Sequence, residues 1–406
     1  MTREQFASYI DDTIKKSTLN ITENILKDGI FTYGNTYRLK NVIKKAMNKE
    51  TITVCTFGGS ITRGASHHLA PTEGIECNFE PKKYIDVVCD FLEEMFGCKT
   101  VRINAGIGAT DSVYATHRIG EDVLKYKPDL VINEWCCNDN AEMLYKQATY
   151  ESVVRKLIEY GCALILVSFA EKDGTSSQSV HEPISRYYNV PHLSYRDAYM
   201  NLDEYKYLSN DRVHPNTVGH ALAGLIINYF IGTVSFDDKC ESDEDYPSKP
   251  YAEDADCYTD AKVCSFYDIC EGKFEGIEIS DLGSFKKDDE KKVFAYKEYY
   301  GYSADYSDNP SPMVVKINSI KNLFILLYRS NHYTDVKFYI EINDERIDKP
   351  TFTCQHGNDN RQIEFSYHWA SERAVKYEDN TDITLKIYPD TKNKEKPIRL
   401  FGLLIS

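Results

Sequence analysis

Basic residues are scarce in this chain relative to acidic ones. Its 406 residues include 48 Lys and Arg against 63 Asp and Glu, which gives a formal net charge of −15 at pH 7. Nucleic acids and anionic membrane surfaces would repel such a chain. We therefore expect neither of them as a partner, and a neutral substrate fits this charge better.

Long apolar runs are also missing. No segment approaches the roughly 20 apolar residues that are needed to span a bilayer. The N-terminal stretch MTREQFASYIDDTIKKSTLN has acidic residues early and no continuous apolar part. This pattern is not that of a secretory signal peptide, so we expect neither secretion nor membrane insertion.

Cysteine pairs with metal-binding spacing are lacking as well. The 12 cysteines are scattered, and several, such as Cys55 and Cys162, lie inside apolar segments. That distribution is typical of free thiols in a reducing compartment and predicts a cytoplasmic location. A loose cluster contains no Cys-x2-Cys pair and no nearby histidine, so we expect no zinc site and no cofactor; its members are Cys257, Cys264 and Cys270.

Strand-like and helical segments alternate between residues 51 and 230. Short apolar runs (TITVCTF, TVRIN, DLVINEW and CALILVSFA) are separated by segments with helical spacing, such as PKKYIDVVCDFLEEMFG. Fully apolar strands between helices are typical of a parallel sheet covered on both faces. We therefore predict an α/β domain over residues 51–235, with residues 1–50 as a helical N-terminal extension packed on it.

The pattern changes after Phe236. Residues 236–262 are acidic, contain proline and have no apolar face, which predicts a solvated linker. Residues 263–406 form short strand-like segments separated by turn residues at regular spacing. This spacing predicts a second domain that is an antiparallel β-sandwich.

Polar or glycine-rich loops follow the predicted strands of the first domain. Ligands bind at the carboxyl ends of the strands in an open parallel sheet, so these loops are the candidates for a site. GGSITRG carries Ser60, INAGIGATDS is rich in small residues, EWCCNDN carries Asn138, and NDRVHPNTVGH carries Asp211 and His214. Each loop taken alone is typical of a turn or a helix cap.

Together, the four loops contain the parts that acyl transfer needs. These parts are a nucleophilic hydroxyl, a histidine that takes its proton, a carboxylate that orients the histidine, and donors for the tetrahedral oxyanion. Ser60, His214, Asp211 and Asn138 supply one of each residue type. The combination predicts that Ser60 is a nucleophile.

This ordered set resembles the sequence blocks of the SGNH, or GDSL-like, hydrolases over residues 50–232. The resemblance implies a flavodoxin-like parallel sheet, with residues 51–235 as the catalytic domain. It implies Ser60 as nucleophile, His214 as general base and Asp211 as the carboxylate that orients it. The implied oxyanion hole consists of the Ser60 amide, an amide of the second block and the Asn138 side chain.

Three positions depart from the family pattern. Gly59 replaces the aspartate of the first block, and Cys136 replaces the glycine of the third. In the second block an ungapped alignment places Ala109 at the oxyanion position, whereas a shift of one residue places Gly108 there. A backbone donor does not require glycine, so both residues stay open as candidates.

Within the family, the sequence is similar to two-domain carbohydrate O-acetylesterases. That similarity implies an acetylated plant oligosaccharide, such as a mannan or xylan fragment, as substrate, and a carbohydrate-binding jelly roll as second domain. The alternatives are a lipid or thioester acyl hydrolase and a sugar O-acetyltransferase. Tyrosines of the second domain are candidates for stacking on sugar rings, although they could equally pack its core: Tyr296, Tyr299, Tyr300, Tyr302, Tyr306, Tyr328 and Tyr333.

Overall fold

The computed structural model describes residues 1–108, 110–139, 144–239, 242–243, 246–289, 291–294, 297–304, 307–329, 337–346, 364–369, 377, 379–390 and 398–406. The helices are α1 (Arg3–Ile14), α2 (Glu23–Asp28), α3 (Tyr37–Met47), α4 (Ser60–Arg63), α5 (Tyr84–Phe96), α6 (Ser112–Asp122), α7 (Leu144–Tyr160), α8 (Gln178–Tyr187), α9 (Tyr195–Tyr199), α10 (Thr217–Ser235) and α11 (Phe266–Cys270).

The strands of the first half are β1 (Ile30–Thr32), β2 (Thr51–Gly58), β3 (Lys99–Gly106), β4 (Leu130–Glu134), β5 (Ala163–Ser168) and β6 (His192–Ser194). Those of the second half are β7 (Lys262–Ser265), β8 (Ile277–Asp281), β9 (Phe285–Lys287), β10 (Lys292–Phe294), β11 (Lys297–Tyr299), β12 (Tyr302–Ala304), β13 (Met313–Ile320), β14 (Leu323–Arg329), β15 (Lys337–Ile342), β16 (Glu345–Arg346), β17 (Glu364–Trp369), β18 (Thr381–Asp390) and β19 (Ile398–Ile405).

The chain folds into two compact units. Met1–Ala115 and Ile119–Asp256 form the first unit, and Thr116–Arg118 and Cys257–Ser406 form the second. The division after Asp256 falls inside the segment 236–262 that the sequence predicts to be a linker.

The first unit contains a sheet of six strands in the order β1-β6-β5-β4-β2-β3. Strands β2 to β6 run parallel to one another. Counted along the chain, these five strands have the order 2-1-3-4-5, which is the flavodoxin-like arrangement. The predicted parallel sheet is therefore confirmed.

Apolar side chains cover both faces of this sheet. Along β2, Ile52 and Val54 belong to one buried cluster, and Cys55 and Phe57 belong to another. The first cluster includes residues of α3, α5 and α10, and the second includes residues of α6, α7 and α8. Strands buried on both sides need apolar residues at successive positions, which explains the continuous apolar runs in the sequence.

The helix α10 has the length and mean hydropathy of a membrane span. Of its apolar window, 94% is buried inside the protein, and it contacts α5, α3 and α1. A helix that is apolar all round is typical of a core position, and α10 occupies one.

The N-terminal extension contains the expected helices and one unexpected strand. α1 begins at a capping box between Thr2 and Gln5. β1 pairs antiparallel with β6 and so extends the sheet. With three residues, β1 is too short to show the alternation by which a strand is predicted.

The second unit consists mainly of antiparallel strands. One sheet has the order β17-β14-β19-β12-β9 with β7 beside β19, and the other has the order β16-β15-β18-β13-β8. Both sheets contribute to one buried core, for example Val315 of β13 and Leu403 of β19. The predicted antiparallel sheets are confirmed.

The C-terminal part of the predicted linker makes hydrogen bonds to α7. The backbone amides of Tyr251 and Ala252 donate to the carboxylate of Glu151 in α7, at 2.5 and 2.6 Å. Glu151 is fully buried. This part of the acidic segment is therefore anchored to the first unit, because it supplies donors to a carboxylate that has no access to water.

Candidate active site

The strand register brings three of the candidate loops to one edge of the sheet. Gly58, the last residue of β2, lies opposite Gly106 of β3 and Glu134 of β4. The loops that follow these strands therefore start side by side. β2 and β4 also flank the position at which the strand order reverses, where ligands bind in this fold.

Two glycines allow the turn that carries Ser60 to pack closely on the sheet. A Cβ atom on Gly58 would lie 2.1 Å from Thr62 Oγ1, and one on Gly106 would lie 2.2 Å from the Arg63 backbone nitrogen. Ser60 begins α4, which is only four residues long. A single turn aligns few peptide dipoles, so the free amide groups at its N-terminus matter more here than a helix dipole does.

The structure brings the three predicted catalytic residues into one hydrogen-bonded chain. His214 Nε2 lies 2.8 Å from Ser60 Oγ, and His214 Nδ1 lies 2.7 Å from Asp211 Oδ2. In the tautomer with a proton on Nδ1, the imidazole donates to Asp211 and can accept the Ser60 proton on Nε2. This is the geometry of a nucleophile, a general base and an orienting carboxylate.

Asp211 remains ionised although it is partly buried. Burial raises the pKa of Asp211, but donation from the His214 amide and ring and from the Val213 amide outweighs it, so the net pKa lies below the usual range. The two amides donate to Asp211 Oδ1 at 2.6 and 2.8 Å. The side chains of His214 and Asp211 are 28% and 51% exposed. A charged Asp211 can therefore stabilise a protonated His214.

Contacts on both sides fix the loop that carries Asp211 and His214. Arg212 forms a bidentate ion pair with Glu171, with nitrogen–oxygen distances of 2.8 and 3.0 Å. Asn216 caps α10 by accepting from the amides of Val218 and Gly219. The loop is thus held by its own helix and by the segment that follows β5.

Candidate oxyanion donors lie beside Ser60. A Cβ atom on Gly108 would lie 3.7 Å from Ser60 Cβ, and one on Gly59 would lie 2.7 Å from Asn138 Oδ1. The Asn138 amide thus occupies the space into which an aspartate at position 59 would project, which accounts for glycine there. Ala109, the other candidate for the second donor, lies outside the described residues.

Cys136 is accommodated without a left-handed backbone, since it is not among the residues with positive φ. Its thiol lies 3.1 Å from His181 Nδ1 and donates to Ser168 Oγ at 3.0 Å. The departure from glycine at this position therefore adds a side chain to the interior and leaves Asn138 in the loop where the sequence predicts it.

Sequence reasoning missed two buried polar groups behind the site. Glu134 accepts a hydrogen bond of 3.1 Å from Thr62, whose hydroxyl lies 2.8 Å from that of Tyr84. Asp139, next to Asn138, lies 2.9 Å from His181 Nε2. The only sequence signal for Glu134 was a charged residue at the end of the apolar run DLVINEW.

His220 and Trp135, which lie near the site, are packed in the interior of the protein. Burial lowers the pKa of His220 to about 3, so its imidazole is neutral where it stacks on Tyr84. Trp135 is buried and donates to Asn133. Within the described part of the chain, no group of three or more His, Cys, Asp and Glu could hold a metal ion.

The candidate stacking tyrosines of the second unit divide into three groups. Tyr302 is buried in the core, so it presents no face to a ligand. Tyr300 contacts the Tyr267 ring and two lysines. The side chains of the others lie outside the described residues: Tyr296, Tyr299, Tyr306, Tyr328 and Tyr333.

Comparison with solved structures identifies the fold. A two-domain esterase active on acetylated mannans superposes with a TM-score of 0.74 at 23% identity, over 94% of this chain and 98% of that chain. Its complex with mannopentaose gives a TM-score of 0.72 at 22% identity, with the same coverage of both chains. An acetylxylan esterase from Geobacillus stearothermophilus matches 45% of this chain and 94% of its own, at 21% identity and a TM-score of 0.38.

No protein-family model matches the sequence, and no curated protein is similar enough to match it. At these identities the structural likeness establishes the fold. The chain has the two-domain architecture predicted from the sequence, a flavodoxin-like α/β unit followed by antiparallel β-sheets.

Proposed function

We propose that this protein is a serine esterase that hydrolyses O-acetyl esters on carbohydrate through an acyl-enzyme. One observation carries the proposal: Ser60, His214 and Asp211 form a hydrogen-bonded chain at the switch point of the sheet, beside Asn138 and Gly108. The fold shared with an esterase active on acetylated mannans supports the choice of substrate.

The first half of the reaction transfers the acetyl group to the protein. Ser60 Oγ attacks the carbonyl carbon of the ester while His214 Nε2, 2.8 Å away, takes its proton. The tetrahedral intermediate then collapses, the bond to the sugar oxygen breaks, and His214 returns the proton to that oxygen. The deacetylated sugar leaves, and the acetyl group remains on Ser60.

The second half releases acetate. A water molecule gives a proton to His214 and attacks the acetyl carbonyl, and collapse of this second intermediate breaks its bond to Ser60, which recovers the proton. Asp211 stays ionised throughout and favours the protonated form of His214 in both halves. The Ser60 amide, an amide of the Gly108 loop and the Asn138 side chain would stabilise the oxyanion.

The substrate class rests on two points. The net charge of −15 favours a neutral ligand over an anionic one. Two solved structures that share the fold over both units belong to an esterase active on acetylated mannans. O-acetylated oligosaccharides of mannan or xylan type are therefore the proposed substrates.

We also propose that the protein is located in the cytoplasm, because its scattered cysteines are typical of free thiols. Fractionation of the source cells would test this location.

The decisive experiment measures acetate released from a panel of acetylated manno- and xylo-oligosaccharides. We expect release by the native protein and a loss of about 10⁴-fold or more in kcat for Ser60→Ala, the usual cost of removing such a nucleophile. Ser235→Ala serves as a matched serine control, since Ser235 donates to the Gly232 carbonyl at the far end of α10.

Two results would favour the alternatives. A rate that rises with acyl length in a series of nitrophenyl esters would indicate a lipid or thioester hydrolase. Acetyl transfer to an added sugar in preference to water would indicate an O-acetyltransferase. Unchanged turnover in Ser60→Ala would remove the serine mechanism altogether.

A further inference from the structure

One buried carboxylate joins the two loops that carry the candidate oxyanion donors. Asp139 follows Asn138 directly, and its side chain has no exposed surface. Its Oδ1 accepts a hydrogen bond of 3.0 Å from the Ser112 amide, and its Oδ2 lies 2.9 Å from His181 Nε2. Ser112 begins α6, immediately after the loop that starts at Gly108.

The backbone of Asp139 also forms hydrogen bonds that hold the turn carrying Asn138. The amides of Asn138 and Asp139 both donate to the Trp135 carbonyl at 3.0 Å. The Asp139 carbonyl accepts from the Ser177 hydroxyl, and the Ser177 amide donates to the Cys136 carbonyl at 2.8 Å. The residues before α8 thus hold this turn from one side, and Asp139 holds it to α6 from the other.

His181 is itself fixed in place. Its ring stacks on Tyr150 with centroids 3.6 Å apart and an interplanar angle of 6°. Burial lowers the pKa of His181, but Cys136 and Asp139 more than compensate and raise it to about 10. The imidazolium therefore neutralises the Asp139 carboxylate in an interior where an unpaired charge would be costly.

We propose that Asp139 and His181 form a positioning pair that sets the separation between the Gly108 loop and Asn138. The pair contacts no reacting atom and acts through the oxyanion donors. The inference rests on the proposed esterase function. Because the donors act most strongly in the transition state, loss of the pair lowers kcat and leaves KM nearly unchanged.

The first test is Asp139→Asn, assayed on 4-nitrophenyl acetate at a temperature where circular dichroism shows the variant folded. The asparagine amide cannot accept hydrogen bonds from both the Ser112 amide and a protonated His181. We therefore expect kcat to fall about tenfold or more, while KM stays within about twofold of the native value. A loss of this size is part of the 10²–10³-fold decrease in kcat that follows removal of an oxyanion donor. In an Asn138→Ala background the same substitution should cost clearly less, because the donor it positions is gone.

His181 provides the second test. Glutamine in place of His181 would keep a donor near the position of Nε2, whereas leucine would not. We expect His181→Gln to retain most of kcat and His181→Leu to lose as much as Asp139→Asn. Asp129→Asn is the matched control. Asp129 also accepts a hydrogen bond from a backbone amide, that of Thr53, and pairs with a cationic side chain, that of Lys45, but it lies at the other end of the sheet. This control substitution should lower stability and leave kcat unchanged.

The outcomes separate this inference from the proposed function. A native protein without Ser60-dependent esterase activity would refute the function. An active native protein in which Asp139→Asn leaves kcat unchanged, or adds its full effect to that of Asn138→Ala, would refute the positioning role. Equal losses in His181→Gln and His181→Leu would also refute it.

Discussion

Glu134 places a carboxyl group inside the protein, directly behind the turn that carries Ser60. Burial raises the pKa of Glu134 to about 7, and the hydrogen bond from Thr62 offsets only part of that effect. In an unfolded chain the pKa of a glutamate is about 4.3. The folded protein therefore binds a proton that the unfolded chain releases between these two values, and its stability falls as the pH rises through that interval.

Glu134→Gln should remove this pH dependence. Glutamine keeps the size of the side chain and an oxygen that accepts from Thr62, and it never ionises. We expect the midpoint of thermal unfolding of the variant, relative to that of the native protein, to be a few degrees higher at pH 8 than at pH 5. Glu50→Gln, at an exposed position, is the control. A difference that stays constant between the two pH values would contradict a proton held by Glu134.

The residues of the site differ in how far the sequence could predict them. Ser60, Asn138, Asp211 and His214 each stand in a loop at a strand end or before a helix, so position and residue type together indicate their chemistry. His181 and Asp139 meet across 42 residues of sequence. No local pattern encodes such a pair, because the fold alone decides which buried polar side chains meet.

At the scale of the elements, close contact between α4 and β3 holds Ser60 in place. Gly106 faces the backbone of Arg63, which cannot move away as a flexible side chain can. A Cβ atom on Gly108, two residues later, would lie 3.6 Å from the tip of the Arg63 side chain and 3.7 Å from Ser60 Cβ. The two glycines therefore have different spatial requirements, although they are only two residues apart.

Replacing each of these glycines by alanine should separate the two roles. Gly106→Ala forces α4 away from the sheet, so we expect a loss of about 1–3 kcal/mol in the free energy of unfolding and a fall in kcat for a nitrophenyl ester. Gly108→Ala adds a methyl group at ordinary contact distance, and its amide can still donate, so kcat should stay close to that of the native protein. The opposite ranking of the two variants would show that Gly108 needs a glycine backbone.

Element prediction succeeded where the pattern was long. The apolar strands β2, β4 and β5 are buried on both faces, and each gives a continuous apolar run. β1 has three residues and α4 has four, so neither is long enough to repeat its pattern even twice. β1 forms because it pairs with β6, which is distant in the sequence. α4 forms because the glycine turn before it lets the backbone pack closely on the sheet.

At the scale of the whole molecule, the division into units determines where the chain can be cut. Glu151 is fully buried and accepts from the Tyr188 hydroxyl and from the amides of Tyr251 and Ala252. A chain ending at residue 236 would lose both amides and leave a buried carboxylate with fewer donors, which is destabilising. A chain ending at Asp256 keeps them, and it ends where the first unit ends.

The role of the second unit can be tested with that shorter chain. The named residues of the proposed site all belong to the first unit. We therefore predict that the second unit contributes affinity for the sugar, because binding energy remote from the ester can be used to orient the reacting group. A soluble, folded protein of residues 1–256 should then keep much of its kcat/KM for nitrophenyl acetate and lose at least about tenfold more for an acetylated manno-oligosaccharide, which corresponds to about 1.4 kcal/mol of lost binding energy. Equal loss on both substrates would refute the binding role. Calorimetric titration of the full-length Ser60→Ala variant with the same oligosaccharide provides an independent measurement, because it reports affinity without turnover, and the shorter Ser60→Ala chain should bind correspondingly more weakly.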